Sequence, residues 1–391
     1  MIVAALLGCR ASAPPLEHEA YVWQRAWTPA VEQGVAAGAA VFRGLRVHAL
    51  AAGRDALVLH DVALSSLAAT GRPIVVVARV EVGAGVTGAE LGGALASIVA
   101  RWRAAGVDVV GVEIDHDSPS SRLSAYAGFL EELRGSLPAS IPLSITALPT
   151  WLDAPSTAEG GGLEVLWAAV DGSVLQVHAN DDPSEALFEP LQARRWIDRW
   201  AARVPHPFQV AVPAYGVRLL GGSSDGGAPG IEAEALRLDR GPGGVELWAE
   251  PRDVLALLEG LAHDRPVGLD GIVWFRLPTS ADRRAWSLSA IASVIEGTLP
   301  LASIEVGIES GPGSHDLWLV NRGSARGLVP DEIWIEGRCT AADGAGGYEV
   351  VHRRDRWGLR RHIQRGLAPS ERLSIGWIRC IERPGVRVGE G

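Results

Sequence analysis

The sequence predicts a (β/α)8 TIM barrel followed by a small β-sandwich-like C-terminal domain. Three observations carry this. Eight short runs rich in Val, Ile and aromatic residues alternate with longer helical patterns between Tyr21 and Glu296, as buried parallel strands and their covering helices do. That number of strand–helix units fits a closed barrel better than an open doubly wound sheet, and no glycine-rich dinucleotide fingerprint follows the first strand. After Gly297 the helical patterns nearly stop and strand-like runs joined by Gly, Pro and Asp turns take over.

The predicted strands are Tyr21–Trp27, Leu45–Ala49, Ile74–Val82, Val109–Asp117, Leu143–Leu148, Ser173–Asn180, Phe208–Tyr215 and Gly271–Leu277. The predicted helices are Pro29–Ala39, Ala56–Ala69, Gly88–Ala105, Arg122–Leu137, Leu163–Val170, Leu187–Val204, Pro251–His263 and Trp286–Glu296. In the helix from Arg122, the residues Leu123, Tyr126, Leu130 and Leu133 form one apolar stripe, with Ser121 as the expected N-cap. A glycine-rich insertion from Arg218 to Glu250 follows the seventh strand and holds two short strand-like pieces, which suits a lid or rim hairpin. In the tail, Ile304–Ile308, Asp316–Asn321, Glu332–Cys339, Tyr348–Arg354 and Leu373–Ile381 read as strands. The domains expected are a leader and linker over 1–19, the barrel over 20–298 and the β-rich domain over 299–391.

Composition narrows the chemistry. The net charge of −10 argues against a nucleic-acid partner. The chain has no lysine, so Schiff-base chemistry, pyridoxal-phosphate chemistry and a P-loop are excluded. The start, Met1 to Cys9, is an apolar run too short to span a bilayer. Its Leu6-Leu7-Gly8-Cys9 resembles a bacterial lipobox, in which the cysteine is lipidated, although no basic segment precedes it. On that reading the protein is exported to the cell envelope and meets the membrane only through a lipid anchor at Cys9. Cys339 and Cys380 then remain as an even pair. A bridge between them would close a loop of about 40 residues, worth roughly 3–4 kcal/mol; two buried free thiols are the alternative.

Active sites of such barrels lie at the C-terminal ends of the strands. In the fourth strand Val110, Val112 and Ile114 form the apolar set, so Glu113, Asp115 and Asp117 share the inward parity. Three carboxylates on one parity repel unless protons, arginines or a metal intervene. Arg25 and Arg79 have inward parity and could hold them for purely structural ends. Parity elsewhere points Gln176, His178 and Asn180 inward on strand six, Ala211, Pro213 and Tyr215 on strand seven, and Trp274 and Arg276 on strand eight. Trp27 and Trp151 lie at or beyond strand ends. Carboxylates, amides and indoles together suit a sugar, whose apolar faces stack on aromatic rings.

Two resemblances sharpen this reading. Gly111-Val112-Glu113-Ile114-Asp115-His116-Asp117 with Pro119 resembles the fourth-strand signature Gly-x-Asp-x-Asp-x-Glu of family 18 chitinase-like barrels. Pro213-Ala214-Tyr215-Gly216 and Gly271-Ile272-Val273-Trp274 are similar to that family's seventh- and eighth-strand segments. The run Glu113 to Ala127, and Leu143 to Leu152, look more closely like the bacterial family called domain of unknown function 3142, over most of the barrel. The chitinase-like resemblance implies Asp117 as general acid, Asp115 as the residue that orients the substrate, Glu113 in place of the inner aspartate, and Tyr215 and Trp274 lining the pocket. Aspartate at 117 is one methylene shorter than the family's glutamate, and strand six lacks the family's tyrosine.

The function expected is therefore a cell-envelope glycoside hydrolase-like protein acting on a glycan, with Asp117, Asp115 and Glu113 as the catalytic set. Tyr215, Trp274, Arg276, Asn180, His178, Gln176, Trp27, Trp151 and Arg79 would bind substrate, with no cofactor and no metal. The alternative is a non-catalytic glycan-binding lipoprotein. A third reading, a metal-dependent hydrolase using Asp115, Asp117 and His178, has no His-x-x-x-His spacing behind it.

Overall fold

The computed structural model describes residues 15–154, 162–178, 186–220, 230–232, 245–282, 284–353, 356–362 and 366–389. Contacts divide the chain into two compact units, Met1–Pro213 with Ala256–Leu277, and Ala214–Leu255 with Pro278–Gly391.

The first unit holds a closed barrel of eight parallel strands. They are β1 (Glu17–Val22), β2 (Gly44–Ala52), β3 (Ile74–Val80), β4 (Val109–Asp115), β5 (Leu143–Ala147), β6 (Gly172–Gln176), β7 (Phe208–Pro213) and β8 (Leu269–Phe275). Each pairs in parallel with its sequence neighbours, and β8 closes the circle on β1. A (β/α)8 barrel is thus the fold, as predicted. The helices are α1 (Pro29–Gly38), α2 (Leu64–Thr70), α3 (Gly88–Ala104), α4 (Leu123–Ser136), α5 (Pro190–Ala201), α6 (Pro251–His263) and α7 (Leu288–Ile295), the last in the second unit. Between β5 and β6 the described residues form short 3₁₀ turns, Pro149–Asp153 and Leu163–Leu166, where a helix over Leu163–Val170 was expected.

Three local differences have physical causes. β1 starts at Glu17, four residues before the expected start, because Glu19 faces inward onto Arg46 and breaks the apolar run that marks a strand. Leu57–Leu59 forms a short antiparallel strand on β2 where a helix was expected, and α2 starts only at Leu64. Ser121 does not cap α4: it sits inside a 3₁₀ turn, Ser120–Arg122, and Arg122 takes the N-cap place without a side-chain bond. The helix stripe itself is as read, with Leu123, Tyr126, Leu130 and Leu133 all buried. In α3, Thr87 and Glu90 form a reciprocal capping box.

The second unit contains a sandwich. One four-stranded antiparallel sheet runs in the order Ile304–Gly311, Ser314–Asn321, Arg372–Cys380, Cys339–Gly344. The other runs Tyr348–Arg353, Arg356–Arg361, Glu332–Glu336, Gly385–Val388. Leu317, Leu319, Leu373 and Ile375 of the first share one buried core with Ile333, Ile335 and Leu359 of the second. Cys339 and Cys380 are register partners on adjacent strands and form a disulfide. A three-stranded antiparallel sheet, Gly230–Glu232, Gly216–Leu220 and Val245–Trp248, takes up the described part of the insertion. Among the described residues no helix is long and apolar enough to cross a membrane.

Candidate active-site mouth of the barrel

The barrel axis is filled from its base upward. Tyr21, Val77, Val174, Ala211 and Val273 form a buried apolar cluster, and Trp23 and Phe275 pack against it. Beside it lies a polar network built on Arg46, an inward residue of β2. Its guanidinium donates Nη1–H to Glu113 Oε2, Nη2–H to Gln209 Oε1, and Nε–H to Glu19 Oε2 at 2.7 Å. Tyr21 Oη donates to Glu113 Oε1 at 2.8 Å. Glu113 is 0% exposed. Burial pushes its carboxyl above the ordinary range, and Arg46 and the Tyr21 hydroxyl only partly offset this. Burial would lower Arg46, but Glu19 and then Glu113 outweigh it and hold the guanidinium above its usual value. Expected as a third catalytic carboxylate, Glu113 instead has both oxygens engaged inside the barrel and none facing solvent.

Asp115 and Asp117 lie one step and two steps further up. Arg79, at the end of β3, splits its guanidinium between them: Nη1 donates to Asp115 Oδ2 at 2.7 Å and Nη2 to Asp117 Oδ2 at 2.6 Å. Asp115 Oδ1 accepts from Thr146 Oγ1 at 2.8 Å and Gln176 Nε2 at 3.4 Å. Asp115 is buried, and that burial raises its carboxyl while Arg79 opposes the shift. The Asp117 side chain is 40% exposed and that of Arg79 is 28% exposed, so this pair is what the strand-four ladder presents to solvent. Among the described residues Asp117 Oδ1 accepts no hydrogen bond. The turn that carries Asp117 is pinned from both sides: Ser118 N–H donates to His116 O at 2.9 Å, and Trp151 Nε1 donates to Ser118 O at 2.8 Å.

An aromatic cluster crosses the other half of the mouth. Trp23 stacks on His48 at 4.6 Å and meets Phe275 edge-on at 5.6 Å, and His178 stacks on Phe275 at 5.2 Å. His48 Nε2 lies 3.3 Å from His60 Nε2. Burial lowers both His48 and His178 to about 4, so both rings are neutral at physiological pH.

The remaining sequence-expected residues divide. Gln176 and His178 face the site as parity required. Trp274 does not: its indole is fully buried and donates to His18 Nδ1 at 3.1 Å, while Val273 and Phe275 hold the inward parity. Both faces of β8 are buried, so hydrophobicity could not tell them apart. Trp151 is also fully buried, against Tyr126, and no indole face is open to a sugar. Trp27 is half-buried, and Arg276, just past β8, is buried. Arg25 is exposed and makes none of the described ion pairs; Arg46, not Arg25, is the second arginine of the ladder. Tyr215 belongs to the second unit, where its carbonyl accepts from Ala249 N–H and burial pushes its hydroxyl up to about 12. Asn180 and Cys9 lie outside the described residues. Sequence reasoning missed Trp23, Arg46, His48 and Phe275. Arg46 and His48 alternate with Val47 and Ala49 in an otherwise apolar run, and that alternation is the signal that would have found them.

The strand order and the strand-four ladder define a (β/α)8 barrel with three carboxylates on one inward parity. Residues 70–280 match the family model Domain of unknown function (DUF3142), and the chain belongs to that family. Residues 305–381 match a second model, Domain of unknown function (DUF8456). Among solved structures, the spore cortex-lytic enzyme SleL of Bacillus megaterium QM B1551 is similar at 13% identity and a TM-score of 0.50, over 73% of this chain and 74% of that one. A chitinase from Chromobacterium violaceum ATCC 12472 is similar at 15% identity and a TM-score of 0.49, over 72% of this chain and 98% of that one. At 13% identity the likeness to SleL shows the fold alone. No curated protein matches the sequence.

Proposed function

We propose that the barrel binds a glycan at its C-terminal mouth and holds it without cleaving it. The observation that carries this is the fork of Arg79 between Asp115 and Asp117. A general acid must present a proton to the leaving oxygen. Here the only strand-four carboxylate that reaches solvent already accepts a charge-assisted bond from Arg79. The same pair is well suited to recognition. Asp117 Oδ1 accepts from a sugar hydroxyl and the Arg79 edge donates to one, while the rings of Trp23 and Phe275 offer apolar surface to the pyranose face. Neutral His178 supplies a further polar edge on the Phe275 side.

The hydrolytic reading rests on one specific observation, that Asp117 Oδ1 accepts no hydrogen bond among the described residues. In that reading Arg79 leaves Asp117 and the carboxyl gives a proton to the glycosidic oxygen as the C–O bond breaks. Water then adds to the anomeric carbon and returns a proton to Asp117. One fold neighbour, SleL, is a spore cortex-lytic enzyme, which is in keeping with a glycan in either reading. The Leu6-Leu7-Gly8-Cys9 start supports placing the protein in the cell envelope on a lipid carried by Cys9.

The test uses the full chain with Cys9→Ala, incubated with bacterial and fungal oligosaccharides of three to six sugars. Binding is followed by calorimetry and cleavage by new reducing ends. Binding without release is expected, weakened about tenfold or more in Asp117→Asn, since a charge-assisted bond is worth about 1.5–3 kcal/mol. Release that disappears in Asp117→Asn would establish the hydrolase instead. Neither binding nor release would overturn both readings.

A further inference from the structure

The parallel ladder between β3 and β4 stops short of the residue that faces solvent at the mouth. Its last register partners are Arg79 and Asp115. Asp117 lies beyond the end of β4. Main-chain pairing therefore sets Arg79 against Asp115 and does not reach Asp117. The Arg79 guanidinium nevertheless forks between both carboxylates, at 2.7 Å and 2.6 Å. A planar fork tolerates little displacement of its partners, because the directions of its N–H groups are fixed. The end of β4 must be held against the end of β3 by something other than the ladder.

Side chains hold it on two sides. Toward β5, Trp151 Nε1 donates to Ser118 O at 2.8 Å and Ser120 Oγ donates to Thr150 O at 3.1 Å. These bonds tie the turn after Asp117 to the turn after β5, and neither reaches β3. Toward β3 the tie is His116, whose Nδ1 lies 2.8 Å from Val80 O. A carbonyl only accepts, so Nδ1 carries the proton and donates. Val80 directly follows Arg79, and His116 stands between Asp115 and Asp117 in the chain. One side-chain bond thus joins the neighbours of both ends of the fork.

His116 itself takes no part in the mouth. Asp115 and Asp117 share the inward parity, so the residue between them points toward the helix layer. There its ring lies 4.9 Å from that of Tyr126, a buried residue of α4, at a tilt of 60°. The imidazole is therefore packed from the helix side while its Nδ1–H reaches across to β3. A group in that place can act on a ligand only through Arg79 and Asp117.

We infer that His116 is a positioning residue for the glycan site, holding the end of β4 to the end of β3 so that Arg79 spans Asp115 and Asp117. Its effect on a ligand rests on the glycan-binding reading of the mouth; its effect on the fork does not.

The experiment uses the full chain with Cys9→Ala. His116→Phe keeps a ring against Tyr126 and removes the donor. His116→Asn places an amide N–H near the position of Nδ1 and keeps the donor. The first readout needs no ligand: nitrogen NMR of the side chains in protein labelled at arginine. A guanidinium held in a fork rotates slowly and gives separate Nη signals, and those of Arg79 are assigned by their loss in Arg79→Gln. Separate Arg79 signals are expected in the parent, merged signals in His116→Phe, and separate ones again in His116→Asn. The second readout is calorimetry with oligosaccharides of three to six sugars. Binding is expected to weaken about fivefold in His116→Phe, the scale of one hydrogen bond, and to return to within about twofold of the parent in His116→Asn. Thermal denaturation checks that each variant is folded. If His116→Phe does not fold, His116→Ala takes its place with the same losses expected. Separate Arg79 signals that persist in the folded His116→Phe or His116→Ala protein, or that are missing from the parent, would overturn the inference. So would a His116→Asn protein as impaired as His116→Phe. If the parent binds no oligosaccharide, the reading of the mouth fails and the NMR result still decides the role of His116.

Discussion

Replacing Arg46 by methionine tests whether the base of the barrel is held by ion pairing. Methionine keeps much of the buried stem and removes the charge. Glu113, 0% exposed, then loses the guanidinium paired with it, leaving a carboxylate inside the barrel with the Tyr21 hydroxyl and a 3.4 Å contact from Ser144 Oγ. Breaking one partner out of a buried pair costs about 3–5 kcal/mol, because the remaining charge is uncompensated. At about 2–4 °C per kcal/mol for a domain of this size, the barrel's transition should fall by roughly 6–20 °C at pH 7. The pH dependence has a definite sign. Glu113 is already raised by burial, and without Arg46 it rises further. A raised carboxyl binds more protons in the folded than in the unfolded state, so the folded state loses stability as pH rises above the ordinary glutamate range. The deficit of Arg46→Met against the parent should therefore shrink as pH falls from 7 toward 5. His18, His48 and His178, each lowered to about 4 by burial, act in both proteins and cancel in the difference. Urea denaturation followed by circular dichroism at the two pH values measures this, with Arg46→Met/Glu113→Gln as the control expected to recover most of the loss. A deficit under about 1 kcal/mol at pH 7, or one that does not change with pH, would refute the account.

Two further perturbations concern the scaffold. Reducing the Cys339–Cys380 bridge, which closes a loop with a sequence separation of 41, should cost about 4 kcal/mol in the second unit; urea melts with and without dithiothreitol check this, and an unchanged midpoint would count against it. Gly88→Val should lower the barrel's melting temperature by about 2–12 °C, the cost of overpacking by about 1–3 kcal/mol. An added Cβ there would lie 2.1 Å from Phe129 O and 2.8 Å from Glu132 Cβ, so α3 would have to move off α4. Gly93, on the same helix, has nothing within 4 Å, and Gly93→Ala is the expected neutral control.

The barrel was legible because parallel strands buried on both faces read as continuous apolar runs at regular spacing. The same property hid which face of each strand points inward. On β4 the carboxylates disclosed the parity, because charges cannot sit in the helix layer without partners. β8 has no charge within Gly271–Phe275, so the sequence points to the large indole of Trp274 as the inward residue. The structure gives that direction to Val273 and Phe275 and pairs Trp274 with His18. Glu19 and Arg46 were passed over for the opposite reason. Each interrupts an apolar run and reads alone as a strand edge, and only the pairing of β1 with β2 shows that they neutralise each other. The disulfide could be read from counting cysteines, whereas His116 and Val80 could not be linked before the register of β3 and β4 was known.

The ladder on β4 shows how a sequence motif can keep its geometry while its electrostatics change. Glu113, Asp115 and Asp117 hold the spacing that resembles the chitinase-like signature, and their parity is inward as that signature requires. A ladder used for acid chemistry keeps a proton among its carboxylates, since neighbouring negative charges in a poorly solvated site cannot all persist. This chain resolves the same repulsion with cations. Arg46 meets Glu113, and Arg79 meets Asp115 and Asp117 together. With Glu19 also on Arg46, four carboxylates face two guanidiniums, so the ladder is not fully neutralised by arginine. Of the three ladder carboxylates, Asp117 is the one that solvent reaches, and it shares Arg79 with Asp115; in the function we propose, that pair is where a hydroxyl-rich ligand meets the barrel.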